Sequence, residues 1–129
     1  MRWRLTLLNR MFAVCRLGAA DPIPPWAVSG TQFTSVTRTI EELSIVCEES
    51  LVPVDHDRVE RGWQALKLEG PIPFDQTGVL RSLISPLADA GVGIFAISTF
   101  DTDYVLVKAA NLERAIDALC ASGHDVIGT

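Results

Sequence analysis

The fold is decided by residues 79–107, whose sequence is VLRSLISPLADAGVGIFAISTFDTDYVLV. In the first part of this stretch, apolar residues recur at spacings of three, four and seven, which is typical of the buried face of a helix. We therefore predict a helix over residues 77–90, with Asp75 or Thr77 as its N-cap. Pro86 falls inside this pattern, and because proline lacks an N–H we expect it to kink the helix or weaken one turn.

Two strands follow the predicted helix. Gly91 is placed to end the helix, since glycine readily takes the left-handed conformation found just after a helix C-terminus. Residues 94–99 are apolar and predict a buried strand. Residues 100–103 predict a polar turn, and residues 104–108 predict the strand that returns antiparallel.

The flanking segments complete a regular order of elements. Residues 63–68 alternate apolar and polar side chains, as a half-buried strand does, and the two prolines that follow end it. Asn111 is placed to cap a second helix, which Gly123 ends, and residues 124–127 can return as an edge strand. The second half of the chain therefore predicts the order β-α-β-β-α-β.

The first half of the chain carries a reduced version of this order. Residues 3–17 predict two strands, 3–8 and 11–17, joined by a hairpin turn at Asn9-Arg10. The proline-rich residues 21–26 allow at most a short helical turn where a long helix would stand. Two further strands are predicted, at residues 33–39 and 43–47.

The two halves can be laid over each other. Residues 36–46 align with residues 97–107. In both segments a strand that ends in hydroxyl-bearing residues is followed by a short acidic turn and then by an apolar strand. The matching order of elements favours an internal duplication. We predict one unit over residues 1–60 and a second over residues 61–129, with a polar seam between them.

Composition excludes several classes of protein. The chain has 129 residues, a formal net charge of −5 and 48% hydrophobic residues, which excludes general disorder. No stretch reaches the ~18–20 apolar residues of a membrane span. The acidic balance argues against a nucleic-acid partner, which would need Lys and Arg to contact phosphates. The basic and apolar start is too short for a signal peptide, so we predict a cytoplasmic protein.

The cysteines and histidines form no metal-binding or disulfide pattern. Cys15, Cys47 and Cys120 lie far apart, and we expect three small buried hydrophobes in a reducing compartment. His56 and His124 are isolated, and neither has a second zinc-type ligand at helical spacing. We predict no metal site and no cofactor.

Residues 77–80 and 87–107 closely resemble the pattern of the ACT domain family, and residues 37–46 and 69–74 resemble it too. The resemblance is closest to the branch found in small stand-alone bacterial proteins and in CASTOR-type arginine sensors. Aspartokinase regulatory domains share the pattern more distantly. The resemblance implies an α+β fold of two tandem ferredoxin-like βαββαβ units, the first degenerate, with antiparallel sheets packed side by side and helices on one face.

The resemblance also implies a ligand site, because members of this family typically bind a small effector, often an amino acid, between two units. Glycines in the helix-to-strand turn would let a ligand carboxylate approach backbone N–H groups, and the later hydroxyls and carboxylates could hold an ammonium group. The predicted ligand-binding residues are Asp89, Gly91, Val92, Gly93, Ile94, Ser98, Thr99, Asp101, Thr102 and Asp103. A structural role is the alternative: a helix C-cap for Gly91, and an Asx turn for Asp101 and Asp103.

No catalytic motif accompanies this pattern. The sequence has no G-x-S-x-G, no P-loop and no G-x-G-x-x-G, so we predict no catalytic residues and no enzyme activity. The first hypothesis is a regulatory or sensor module that binds a free amino acid and forms a homodimer. The alternative is a dimerisation or protein-interaction module that uses exposed sheet edges and binds no ligand.

Overall fold

The computed structural model describes residues 2–128, which form seven strands and two α-helices. In chain order these are β1 (Arg4–Leu17), β2 (Ser35–Arg38), β3 (Leu43–Glu48), β4 (Val59–Leu68), α1 (Val79–Asp89), β5 (Ile94–Ser98), β6 (Asp103–Lys108), α2 (Leu112–Ala121) and β7 (Asp125–Gly128). Short 3-10 turns occupy Pro25–Val28, Glu49–Leu51 and Ala109–Asn111. The fold class is α+β, as predicted.

Contacts within the chain divide it into two compact units. The N-terminal unit is Arg10–Trp63, and the C-terminal unit combines the residues up to Asn9 with those from Gln64 onward. Neighbouring strands follow the order β2-β3-β1-β4 in the N-terminal unit and β7-β1-β4-β6-β5 in the C-terminal unit. Strands β1 and β4 therefore contribute residues to both units. The repeat boundary after residue 60 stays a prediction.

Strand β1 is continuous, so the hairpin predicted at Asn9-Arg10 is wrong. Both residues are exposed, and a strand can hold polar side chains at solvent-facing positions without bending. Strand β4 runs antiparallel to β1. In the N-terminal unit the N–H of Arg16 donates to the carbonyl of Arg58 (2.9 Å), and in the C-terminal unit the N–H of Glu69 donates to that of Arg4 (2.8 Å).

The core of the C-terminal unit lies between its two helices and its strands. Both helices bury one apolar face, as their periodicity predicts. The buried cluster consists of Leu5, Leu66, Leu68, Val79, Leu83, Leu87, Val92, Val105, Val107, Ala115 and Leu119. Helix α1 contributes three of these residues, so its position on the sheet is set by side-chain burial.

Helix α1 begins later than the sequence predicts. Its first residue is Val79, preceded by Gly78 at φ +76° with no side-chain cap, so the N-cap predicted at Asp75 or Thr77 is wrong. A glycine at positive φ can turn the chain directly into the helix, which makes a polar cap at the earlier positions unnecessary. At the other end Gly91 has φ +73°, which confirms the predicted helix terminator.

Pro86 lies inside α1, yet the helix continues to Asp89. Because proline has no N–H, the carbonyl of Ser82, four residues earlier, loses its intrahelical partner. The buried ring of His124 replaces that partner: its Nε2 lies 3.0 Å from the Ser82 oxygen, and its Nδ1 accepts the N–H of Trp3 at 3.0 Å. Since Nδ1 accepts, we assign the proton to Nε2.

The N-terminal unit contains strands and 3-10 turns, and no α-helix lies in residues 10–63. The proline-rich segment forms the turn Pro25–Val28, as predicted, and half-buried Trp26 packs against the core of this unit. The core residues are Ala13, Cys15, Ala27, Leu43, Ile45, Cys47 and Val52. A helix-free first unit agrees with a degenerate copy, and the tandem duplication itself stays a prediction.

Two of the three cysteines are buried as expected. Cys15 and Cys47 belong to the core of the N-terminal unit, whereas Cys120 is exposed on α2, so the prediction of burial is wrong for Cys120. Its position on α2 lies off the apolar stripe, next to buried Leu119. The hydrogen bond that Cys47 makes with Cys15, together with burial, raises the pKa of the Cys47 thiol.

Candidate functional site

A groove of about 340 Å³ opens on the surface of the C-terminal unit. One wall is the loop that leads into α1 together with the first turn of that helix, and the other is the hairpin between β5 and β6. The lining residues are Ile72, Pro73, Phe74, Gln76, Gly78, Val79, Leu80, Arg81, Ser98, Thr99, Phe100, Thr102 and Asp103.

The hairpin wall carries a positioned carboxylate. The hydroxyl of Ser98 donates to Oδ1 of Asp103 at 2.5 Å, and these residues form the last pair of the β5–β6 ladder. Thr99 closes the turn, because its N–H donates to the carbonyl of Thr102 at 2.8 Å. A carboxylate held in this way accepts hydrogen bonds from a cationic group in a fixed direction.

The opposite wall presents the start of helix α1. The N–H groups of Val79, Leu80 and Arg81 are the first three of the helix and have no intrahelical acceptor, and the N-cap Gly78 offers no side chain to accept from them. Such N–H groups and the helix dipole favour an anion at this position. The exposed guanidinium of Arg81 adds positive charge to the same wall.

Two phenylalanines stand at the rim of the groove. Phe74 and Phe100 are 75% and 77% exposed, and their rings meet edge to face with centroids 4.8 Å apart. The contact is favourable, but it leaves most of both rings in water. Paired, exposed aromatic residues beside a groove are typical of a binding surface.

The two walls are held together by hydrogen bonds. The buried hydroxyl of Thr102 donates to the carbonyl of Leu68 at 2.7 Å, and the N–H of Ile72 donates to the carbonyl of Asp101 at 2.7 Å. Gly70 allows this approach, since a Cβ at that position would lie 3.0 Å from the Asp101 carbonyl oxygen. The hairpin is therefore tied to the end of β4 and to the loop before α1.

The structure brings together only part of the predicted ligand site. Ser98, Thr99, Thr102 and Asp103 line the groove, and Asp101 joins them through its backbone carbonyl. The other predicted residues, Asp89, Gly91, Val92, Gly93 and Ile94, surround the far end of β5. Four residue steps of about 3.3 Å separate the two ends of the strand by about 13 Å. Within one chain, therefore, the predicted residues form two separate groups.

Nine of the thirteen described residues that line the groove were not among those predicted from the sequence. Three of them, Gly78, Arg81 and Phe74, line the groove opposite the hairpin. The signal for the helix start was a glycine directly before the apolar helical pattern, whereas the prediction looked for a polar cap. No sequence signal indicated that Phe74 and Phe100 would meet.

The hairpin turn of the N-terminal unit repeats the hydrogen bonds of this site. Thr39 donates its N–H to the carbonyl of Glu42 at 2.9 Å, and its hydroxyl accepts the N–H of Glu42 at 3.1 Å. Thr99 and Thr102 make the same two bonds, at 2.8 and 3.4 Å. The two turns correspond at an offset of 60 residues, one less than the sequence overlay assumed.

Two other features, a metal site and a membrane-spanning helix, were looked for among the described residues and are not found there. Among residues 2–128 no three His, Cys, Asp or Glu side chains are grouped so that they could hold a metal ion. Neither helix in that range is long and apolar enough to cross a membrane.

Comparison with known sequences places the groove in a recognised domain. The family described as ACT domain matches residues 58–121, and a family described as an N-terminal domain matches residues 10–55. The human protein CASTOR3P is 31% identical over 93 residues, 63% of this chain and 57% of that protein. The cytosolic arginine sensor for mTORC1 subunit 1 of Bos taurus is 31% identical over 101 residues, 70% of this chain and 31% of that protein. The matched part of the chain thus spans 31% to 57% of the length of these relatives.

Solved structures are also similar to the chain. Protein Atu0741 from Agrobacterium tumefaciens matches with a TM-score of 0.92 and 45% identity, covering 100% of this chain and 95% of that one. The regulatory subunit of aspartate kinase from Thermus thermophilus matches with a TM-score of 0.61 and 12% identity, covering 92% of this chain and 95% of that one. At 12% identity, this second match shows only that the two proteins share a fold.

Proposed function

The chain belongs to the ACT domain family, and from this premise we propose that it is a non-catalytic regulatory module that binds a free amino acid in the groove of its C-terminal unit. The observation that carries the proposal is the pairing of opposite charges across that groove. The start of α1 offers unpaired N–H groups on one wall, and the other wall holds the Asp103 carboxylate.

This arrangement matches the charges of an α-amino acid. The ligand carboxylate would accept hydrogen bonds from the N–H groups of Val79 to Arg81, which an anion satisfies better than water does. The ligand ammonium would donate to Asp103, which Ser98 orients. A groove of about 340 Å³ falls in the range of small-molecule sites, so it has room for a ligand of this size.

The relatives support the class of ligand. One of them carries the name of an arginine sensor. We propose for this chain only that its ligand is an amino acid, and that it acts in the cytosol, as the name of the arginine sensor says of that protein. Catalysis has no place in this proposal, and neither has a cofactor.

A thermal-shift screen of free amino acids, added one at a time, tests the proposal. A ligand present at ~100 times its dissociation constant should stabilise the protein by about 2.7 kcal/mol. Asp103→Ala and Thr99→Val should remove this response while they keep the apo protein within about 1 kcal/mol of the original. Asp117→Ala, which removes an exposed carboxylate from α2, is the matched control and should respond normally.

The screen has a clear negative result. If no amino acid at millimolar concentration raises the melting temperature, the ligand proposal is contradicted. The second candidate function, a protein-interaction or dimerisation module without a ligand, would then be favoured. The observation in its favour is the exposed pair Phe74 and Phe100, which a partner protein could cover.

A further inference from the structure

The groove of the C-terminal unit combines two charged side chains with an apolar surface. Ile72 and Leu80 are half-buried against the core of the unit, and both also line the groove. The rings of Phe74 and Phe100 stand at its rim and are mostly exposed. Among the described residues that line the groove, the only charged side chains are those of Arg81 and Asp103. Side chains that could recognise a further charge on a ligand are therefore absent from the described lining.

The two charged side chains are used by the groups that every free amino acid carries, and this step rests on the proposed function. There the α-ammonium group binds Asp103, and the α-carboxylate binds the wall formed by the start of α1 and Arg81. A cationic ligand side chain would find no second carboxylate in the described lining and would be repelled by Arg81. An acidic side chain would compete with the α-carboxylate of its own molecule for Arg81. An uncharged side chain meets neither difficulty.

The two phenylalanine rings offer a surface for such a side chain. Their edge-to-face contact, with centroids 4.8 Å apart, leaves most of both rings in water. A large apolar side chain that lies against Phe74 and Phe100 removes apolar area of both molecules from water, which favours binding. An aromatic side chain adds ring-to-ring contacts of the kind that the two phenylalanines already make with each other.

We propose that the ligand is an amino acid with a large apolar side chain, aromatic in preference to aliphatic, and that Phe74 and Phe100 select it. The charged groups of the ligand bind between the two walls of the groove, and its side chain covers the two rings. Alanine carries the same charged groups without the large side chain. Burial of a phenylalanine-sized side chain corresponds to about a 10- to 100-fold gain in affinity over alanine.

Isothermal titration calorimetry with five free amino acids tests the selection. Phenylalanine should bind most tightly and alanine about 10- to 100-fold more weakly, with leucine between them. Arginine and aspartate should also bind more weakly than phenylalanine, by about tenfold or more, because their charged side chains lose water without gaining a partner in the groove. If arginine or aspartate binds as tightly as phenylalanine, the inference is overturned, whereas the proposed function, which requires only an amino acid, stands.

Two kinds of variant separate recognition of the ligand side chain from recognition of its charged groups. The double variant Phe74→Ala/Phe100→Ala should lower the affinity for phenylalanine to nearly that for alanine, and should change the affinity for alanine little. Asp103→Asn should weaken both ligands by the same factor and so preserve their ratio. The matched control is Ile40→Ala, because Ile40 is 96% exposed and occupies the position of Phe100 in the corresponding turn of the N-terminal unit. It should leave both affinities unchanged.

The remaining outcomes also decide between the two proposals. Because both rings are mostly exposed, the double variant should keep the melting temperature of the original protein, which excludes unfolding as the cause of weaker binding. A double variant that still prefers phenylalanine to alanine by the original factor, or that weakens both ligands equally, overturns the selection by Phe74 and Phe100 and leaves the proposed function in place. If the original protein binds none of the amino acids, the proposed function and this inference are both contradicted.

Discussion

Replacing His124 with phenylalanine tests whether this buried ring compensates for the proline inside helix α1. The ring links the carbonyl of Ser82 to the N–H of Trp3, with both hydrogen bonds at 3.0 Å, and it is 3% exposed. Phenylalanine has a similar volume, so the substitution removes the two hydrogen bonds without creating a large cavity.

The expected loss of stability follows from the two hydrogen-bonding groups that the substitution leaves without partners. A buried donor or acceptor that loses its partner costs about 1–3 kcal/mol, and His124→Phe leaves one of each. Trp3 is half-buried, so water can partly replace its bond. We therefore expect the free energy of unfolding to fall by about 2–4 kcal/mol.

The same substitution should cost less where Pro86 is absent. Pro86→Ala restores an N–H four residues after Ser82, and the Ser82 carbonyl then has an intrahelical donor. In that background His124→Phe leaves only the Trp3 N–H without a partner. The cost should fall to about 1–2 kcal/mol, which corresponds to a coupling free energy of about 1–2 kcal/mol between residues 86 and 124.

Urea unfolding of the four proteins, followed by circular dichroism and tryptophan fluorescence, measures this cycle. His56→Phe serves as the matched control, because His56 contacts Trp26 in the N-terminal unit and should show no coupling to Pro86→Ala. The reasoning is refuted if the effects of His124→Phe and Pro86→Ala add within about 0.3–0.5 kcal/mol.

Three further predictions concern single side chains. Leu83→Ala should lower the free energy of unfolding by about 2–5 kcal/mol because Leu83 is fully buried in the core, and urea unfolding within 1 kcal/mol of the original would contradict this. Thr102→Val should cost about 1–3 kcal/mol by removing the hydrogen bond to the Leu68 carbonyl, whereas Thr102→Ser, which keeps the hydroxyl, should retain most of that stability in the same assay. Iodoacetamide should label Cys120 in the native protein and reach Cys15 and Cys47 only after unfolding, and equal labelling of all three by mass spectrometry would contradict their burial.

The segments with periodic apolar residues were predictable because the spacing of those residues indicates which face of the helix or strand is buried. The helix around Leu83 and Leu87 and the two strands that follow it lie within a few residues of the predicted bounds. In these segments the local secondary-structure propensity favours the same element that burial of the apolar side chains in the core requires. The end of α1 shortly before Gly91 was predictable for a similar reason, since glycine readily takes the positive φ that the chain adopts there.

The features that the sequence could not predict depend on partners far along the chain. Asn9-Arg10 resembles a turn, but β1 is held straight by bonds to β4 on either side of it. The hydrogen-bond donor that Pro86 lacks is replaced by His124, which lies 42 residues from Ser82 in the sequence. No local sequence pattern predicts this contact.

The candidate site was likewise only partly predictable, because its geometry depends on residues that are distant in the sequence. The residue types of the hairpin were predictable as ligand groups, and Ser98 and Asp103 do meet in the groove. Their separation from the glycine turn depends on the length and direction of β5, which a list of residue types does not contain. The helix start opposite the hairpin became apparent only from backbone geometry at Gly78.

The division of the chain into a continuous and a discontinuous unit has a consequence for synthesis on the ribosome. The N-terminal unit is a single stretch of sequence, so it can close as soon as Trp63 has emerged. The C-terminal unit includes Arg4–Leu7, whose partner strand β7 follows more than a hundred residues later in the chain. One end of strand β1 therefore serves a unit that can close early, and its other end waits until β7 has been made.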